Sequence, residues 1–208
     1  MSKYDSTKLF WKTKHKNSAY TDAENIEKNN KLSRDFIKRY ISLIKNIKSL
    51  QELGVGSGRN INIFSEFLPK IEYFGNDLNP NLIKDVKKNY PNVEKICHLS
   101  IQDTLSYLDD IQPIDATFTH GHLMHLPDQV IDVVCKKISE KTNHSILLRE
   151  AYINNPGAGL FRTWRYKKYR FDRDYSNRFP NFKLIDKIIS NHPTKKWVRQ
   201  CEYFFSKI

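Results

Sequence analysis

Leu50-Gln51-Glu52-Leu53-Gly54-Val55-Gly56-Ser57-Gly58-Arg59-Asn60 is the stretch whose reading decides the fold. A short apolar run enters three closely spaced glycines. Helical spacing follows in Ile61, Ile63, Phe64, Phe67 and Leu68, and Pro69 closes it. Glycine is needed where the backbone turns sharply, or where a ligand must touch main chain with no Cβ between them. Strand, glycine turn and helix in that order begin a βαβ unit. In such sheets the ligand crevice lies beyond the carboxyl ends of the strands.

The same alternation continues outward. Upstream, Phe36, Ile37, Tyr40, Ile41, Ile44 and Ile47 recur at helical steps from about Leu32. Downstream, strands are predicted at Ile71–Gly75, Val93–Leu99, Ile114–Thr119 and Ser145–Leu148. Helices are predicted from Asn79-Pro80 to about Asn89, over Leu105–Asp109, and over Asp128–Glu140 with Val130, Ile131, Val133, Val134 and Ile138 inward. Phe182–Ser190 and Val198–Ser206 read as two closing strands, paired as an antiparallel hairpin. The expected fold is α/β and doubly wound: a mostly parallel seven-stranded sheet with helices on both faces and an antiparallel last strand. Residues 1–30 form an N-terminal arm or lid, and 31–208 a single domain with a basic and aromatic excursion at about 153–180.

The glycine spacing discriminates between ligands. A dinucleotide loop reads GxGxxG and faces a pyrophosphate, whereas this one reads GxGxG with Glu52 just before it. A carboxylate there repels pyrophosphate and suits a ligand carrying a cationic amino group. S-adenosylmethionine, with an ammonium and a sulfonium, meets that requirement. Asp77 lies at the end of the second strand, roughly 20 residues past the loop, where a carboxylate can accept both ribose hydroxyls. Asp103, with Gln102 and Thr104 beside it, is placed at the third strand end to receive the adenine amino group. Both aspartates have the alternative of capping the helix that follows them.

On these residues the chain resembles the class I, Rossmann-like S-adenosylmethionine-dependent methyltransferases, well over residues 32–150 and in strand layout to the end. The resemblance implies that Glu52, Gly54, Gly56 and Gly58 contact the methionine moiety, while Asp77 and Asp103 hold ribose and adenine. Asn60, Leu78 and His120 complete the expected cofactor contacts, and Trp11 and Tyr20 are expected to lie over the cofactor as a lid. S-adenosylhomocysteine would be the product. A narrower likeness joins Trp11, Tyr20-Thr21, Thr119-His120-Gly121-His122-Leu123-Met124-His125, Arg149-Glu150-Ala151-Tyr152 and Phe171-Asp172-Arg173-Asp174-Tyr175. That set is similar to methylases associated with pseudaminic acid biosynthesis.

His122 and His125 are the candidate catalytic bases, because an imidazole titrates near neutrality and can take a proton from a hydroxyl acceptor. The HxHxxH spacing also invites a metal, but no acid or cysteine nearby completes a familiar ligand set, so no metal is expected. Arg149, Glu150, Arg162 and Tyr166 are the candidate acceptor-binding residues. The last two belong to a run in which basic and aromatic residues alternate from Phe161 to Arg173. Such a run can clamp a carboxylate or phosphate, grip nucleic acid, or pack as a solvated insertion. Methyltransferases acting on nucleobase amino groups usually carry an Asn/Asp-Pro-Pro-aromatic motif after the fourth strand, where this chain has Thr119-His120-Gly121-His122. The expected reaction is therefore methyl transfer to a hydroxyl of a sugar or an anionic metabolite. An RNA- or DNA-directed methyltransferase and a non-catalytic cofactor-binding protein are the alternatives.

Length and composition agree with one folded domain: 208 residues, 39% hydrophobic and 12% aromatic, which a disordered chain would not reach. A formal net charge of +12 favours anionic partners. The three cysteines form no CxxC pair, the polar N-terminus lacks an apolar leader, and no run approaches the roughly 20 apolar residues of a membrane span. A reduced, cytoplasmic protein without a membrane partner is expected, as a monomer or homodimer.

Overall fold

At the centre of the sheet lies β1 (Ser49–Leu53), hydrogen-bonded in parallel to β2 (Glu72–Asn76) on one side and β4 (Ile114–His120) on the other. The structure is a computed structural model, and it describes residues 2–13, 23–44, 46–89, 97–152, 173–191 and 199–208. The order of the seven strands is β3-β2-β1-β4-β5-β7-β6, with β3 at Cys97–Ser100, β5 at Thr142–Tyr152, β6 at Phe182–Asn191 and β7 at Arg199–Lys207. β2–β3 and β4–β5 are parallel pairs, whereas β7 runs antiparallel to both β5 and β6. The expected doubly wound sheet with an antiparallel last strand is the one observed.

Helices cover both faces because each strand alternates its side chains between them. On one face, α2 (Ala23–Ile44), α3 (Arg59–Phe67) and α4 (Pro80–Asn89) bury Phe36, Tyr40, Phe64 and Val86 against Leu50, Tyr73 and Phe118. On the other, α5 (Thr104–Asp110) and α6 (Asp128–Glu140) bury Leu108, Ile131 and Ile138 against Leu53, Ile146 and Tyr203. Each such large apolar side chain contributes roughly 1.5–3 kcal/mol on removal from water. An eleven-residue helix, α1 (Lys3–Thr13), precedes these elements.

Three expectations are corrected. α2 begins at Ala23, so a boundary at residue 31 falls inside a helix. The strand predicted at Ser145–Leu148 extends to Thr142–Tyr152, because β4 and β7 pair with it on both sides and carry polar residues into the ladder. In α6, Val133 is 48% exposed, while Cys135 joins the buried stripe of Ile131, Val134 and Ile138. Those four fall at i, i+3, i+4 and i+7, the set one helix face can bury. The sequence start of β3 at Val93, like most of the basic and aromatic excursion, falls outside the described residues.

Candidate cofactor and acceptor site

β1 and β4 lie side by side while their chain continuations leave to opposite sides, so a crevice opens beyond their carboxyl ends. Two turns face each other there. After β1, the amides of Gly54 and Val55 both donate to the carbonyl of Asn76 at 3.0 and 2.9 Å, which bends the chain sharply back over β2. Gly54 takes φ +73°, a left-handed conformation costing an L residue about 1–2 kcal/mol. Gly58, at φ +77°, turns the chain into α3 without any side-chain cap.

Asp77 ties this loop to the tip of β2. Its Oδ2 accepts from the Gly56 amide at 2.9 Å and its Oδ1 from the Asn79 amide at 2.8 Å. Burial raises the carboxyl pKa, against the lowering effect of the Asn79, Gly56 and Leu78 amides. A carboxylate has about four acceptor positions, so the Asp77 oxygens can still accept from a ligand hydroxyl.

The second turn follows β4 and carries Gly121, His122 and a 3-10 turn over Leu123–His125. Glu150 on β5, fully buried, organises it: Oε1 accepts from Thr119 Oγ1 and from the amides of His122 and Leu123 at 2.7, 3.0 and 3.1 Å, while Oε2 accepts from the Met124 amide at 3.1 Å. Arg173 holds the same turn from the other side, donating to the Leu123 carbonyl and to Asp128. His122 Nε2 lies 2.7 Å from Thr104 Oγ1. Burial, with the charge of His125 second, lowers its pKa to about 3, so this ring stays neutral across the physiological range and is a weak base. The His125 ring stacks obliquely on Trp11, with centroids 4.3 Å apart.

Between the turns is an open cavity, placed where small-molecule sites of open α/β sheets occur. Gly54, Gly56, Asp77 and Leu78 form one wall, Asp103 and Thr104 a second, and His120, His122 and His125 a third. α1 closes it with Tyr4, Thr7, Lys8 and Trp11. Sequence reasoning singled out only Trp11 of these four. Their spacing at i, i+3, i+4 and i+7 is a helix-face signal that would have found the rest. Asn76, Leu82, Gly121 and Leu126 also line the cavity and were not foreseen.

Several expected contacts lie elsewhere. Glu52 is 1% exposed and is not in the cavity wall, because strand alternation turns it toward α3 while Leu53 faces α5 and α6. There Glu52 accepts from Asn60 Nδ2 at 2.6 Å and from the Tyr73 hydroxyl, and burial pushes its pKa up to about 7. Asn60 is consumed by this contact, and Gly58 lies outside the wall. Gln102 bonds Ser100 and Asp110 instead of the cavity. Asp103 does cap α5, accepting from the amides of Leu105 and Ser106, and it also accepts from the Tyr4 hydroxyl at 3.0 Å. Burial acts to raise its pKa, but the Ser106 and Tyr4 hydrogen bonds outweigh that and the net shift is downward. Glu150 anchors a loop and Arg149 is buried against His120, so neither forms the cavity wall. Tyr20, Arg162 and Tyr166 lie outside the described residues.

Among the described residues no group of three or more His, Cys, Asp or Glu is placed to hold a metal ion. No helix among them is long and apolar enough to cross a membrane.

Comparison with known proteins agrees with this geometry. Residues 51–139 match the protein family described as a methyltransferase domain. No curated protein matches the chain. Among solved structures it is similar to the N-methyltransferase NodS from Bradyrhizobium japonicum in complex with S-adenosyl-L-homocysteine, with TM-score 0.71 and 11% identity over 100% of this chain and 99% of that one. It is similar to magnesium protoporphyrin IX methyltransferase from Synechocystis PCC 6803 with bound S-adenosylmethionine, with TM-score 0.68 and 10% identity over 100% and 98%. A methyltransferase from Archaeoglobus fulgidus aligns with TM-score 0.65 and 15% identity over 92% and 100%. At such identities the likeness is one of fold.

Proposed function

We propose, for a chain that is an S-adenosylmethionine-dependent methyltransferase of the class I fold, that the methyl group passes to a hydroxyl oxygen of a small acceptor, a sugar or an anionic metabolite. The observation that carries this reading is the cavity itself: a glycine turn with bare backbone, the Asp77 carboxylate beside it and a histidine turn opposite. The fit to the cofactor rests on that cradle. Gly56 has no atom nearer than 4.0 Å around a hypothetical Cβ, so ligand atoms can reach its main chain. Asp77 would accept from ribose hydroxyls, and Leu78 and Leu82 would cover the adenine face.

When bound, the cofactor supplies a sulfonium methyl group already reactive toward a lone pair. The protein's part is to position the acceptor, exclude water and accept a proton. α1 walls the cavity from solvent. His125 takes the base role better than His122, whose low basicity and Thr104 partner suit it to orienting the loop. The acceptor hydroxyl would lose its proton to His125 as its oxygen attacks the methyl carbon.

The test is isothermal titration with S-adenosylmethionine, followed by incubation with a metabolite extract and 13C-methyl-labelled cofactor. Binding that survives unchanged in both Gly56→Arg and Asp77→Ala refutes the site. A product whose methyl carbon resonates as N-methyl instead of O-methyl refutes the hydroxyl acceptor. Labelling of the RNA fraction in place of small metabolites favours the nucleic-acid alternative.

A further inference from the structure

α1 reaches the histidine turn through a ring contact. Trp11 and His125 both line the cavity, and their ring centroids lie 4.3 Å apart at an interplanar angle of 55°. Two rings meeting edge to edge in one plane cannot come that close, so a ring face takes part. Phe10 packs T-shaped against the indole at 5.0 Å. Two turns earlier on the same helix face, the Tyr4 hydroxyl donates to Asp103 at 3.0 Å. These contacts fix where the indole stands relative to the turn.

Such a neighbour matters to a group that gains a proton. In the reading given above, His125 takes the acceptor's hydroxyl proton while the oxygen–methyl bond forms and the methyl–sulfur bond breaks. The sulfonium is left as a neutral thioether and the imidazole as an imidazolium, so one positive charge passes from sulfur to the ring. The face of an indole carries the negative part of its quadrupole and attracts a cation within about 6 Å of its centroid. A neutral imidazole gains much less, so the contact favours the protonated ring and makes it more basic.

The charged groups around His125 have partners of their own. On the same turn His122 stays neutral through burial, and Glu150 beneath accepts from Thr119 and from three backbone amides. From α1, Lys8 lies 3.7 Å from Asp103 and 3.5 Å from Asp5. Asp128 of α6 pairs with Arg173, and His120 of β4 lies against Arg59 and Arg149. On the glycine-loop wall, Asp77 accepts from the Gly56 and Asn79 amides. Trp11 touches the imidazole itself.

We propose that Trp11 is a positioning residue for proton transfer: its indole stabilises the imidazolium of His125, so the base reaches full strength only while α1 is docked on the histidine turn. Closure of the cavity and the chemistry inside it are then coupled through one pair of rings. This inference rests on the methyl-transfer reading and on His125 as its base.

The test follows the His125 ring resonances by NMR through a pH titration of the full chain saturated with S-adenosylhomocysteine. Beside it runs the pH profile of the initial rate of methyl incorporation into a metabolite extract. The proteins compared are the wild type, Trp11→Leu, and a chain carrying 5-fluorotryptophan at position 11, which keeps the shape of the indole but weakens the charge on its face. The pKa of His125 is expected to fall in that order: wild type, fluorinated, Trp11→Leu. The fall in Trp11→Leu should reach about half a pH unit. The limb of the rate profile that rises with pH should move to lower pH by the same amount, since the base must be unprotonated to act. A role confined to packing leaves the fluorinated protein with the wild-type pKa, and that result overturns the proposal, as does an unmoved pKa in Trp11→Leu. A lowered pKa with an unmoved rate limb shows that another group takes the proton; it overturns His125 as base, and the proposal with it. Absence of labelled product at every pH refutes the methyl-transfer reading, whereas the NMR titration decides the ring contact independently of it.

Discussion

A β-carbon on Gly54 would stand 2.2 Å from Nδ1 of His122. The turn after β1 and the turn after β4 therefore pack together with no room for a single methyl group. Backbone conformation and contact demand glycine at the same position, since Gly54 is also left-handed at φ +73°. The His122 amide is held by Glu150 and its ring by Thr104 Oγ1, so the ring can swing away only by breaking that hydrogen bond.

That contact separates two glycine substitutions. Gly56→Ala suffers only the left-handed strain, about 1–2 kcal/mol, or roughly 2–8 °C in Tm for a chain of this size. Gly54→Ala adds the collision with His122 and is expected to lose clearly more than Gly56→Ala, with S-adenosylhomocysteine affinity falling at least tenfold. Thermal unfolding of both proteins checks this. Equal Tm losses would mean that the two turns do not touch in solution.

Glu150→Gln leaves the shape of the side chain but keeps one acceptor oxygen where two now receive four hydrogen bonds. A loss of about 2–4 kcal/mol in urea unfolding is expected, from buried donors left unpaired beside a broken charge. The histidine turn should loosen with it, so kcat should fall further than the affinity for cofactor. A stability change under about 0.5 kcal/mol, the usual size for a surface substitution, would contradict the anchoring role.

Glu52 predicts a pH dependence of stability. Its folded pKa is raised from 4.5 to about 7, so the native state holds the proton more tightly than the unfolded chain. Stability from this group is fully present below the unfolded pKa and is lost as pH rises toward 7. The upper bound on that loss is about 3 kcal/mol, at 1.36 kcal/mol per pKa unit. Glu52→Gln should flatten this slope, becoming relatively more stable at pH 8 than at pH 5 in urea unfolding. Parallel pH profiles for the two proteins would show that Glu52 is already ionised when buried.

Tyr4→Phe removes the hydroxyl that α1 places 3.0 Å from Asp103 while keeping the ring in the cavity wall. With Lys8 3.7 Å from the same carboxylate, this contact is what latches α1 to α5. The S-adenosylhomocysteine dissociation rate, measured by stopped-flow fluorescence, is expected to rise several-fold with little change in Tm. An unchanged rate would show that α1 does not limit ligand release.

The sequence by itself determined the sheet, the helices on its two faces and the position of the crevice. Those depend on periodicities of 2 and 3.6 and on a glycine turn, all local signals. Leu53-Gly54-Val55-Gly56 and Asp77 could be read directly, because the turn and the acid at the next strand tip are properties of single segments. What each polar side chain faces was decided only by the tertiary structure. Strand alternation turned Glu52 away from the cavity and under α3, and the pairing of β5 with β4 and β7 buried Arg149 and Glu150 inside a ladder. The clustering of Arg59, His120 and Arg149 joins three separate elements. No window of sequence contains that information, because a buried charge is placed by the partners that neutralise it and those partners are distant along the chain.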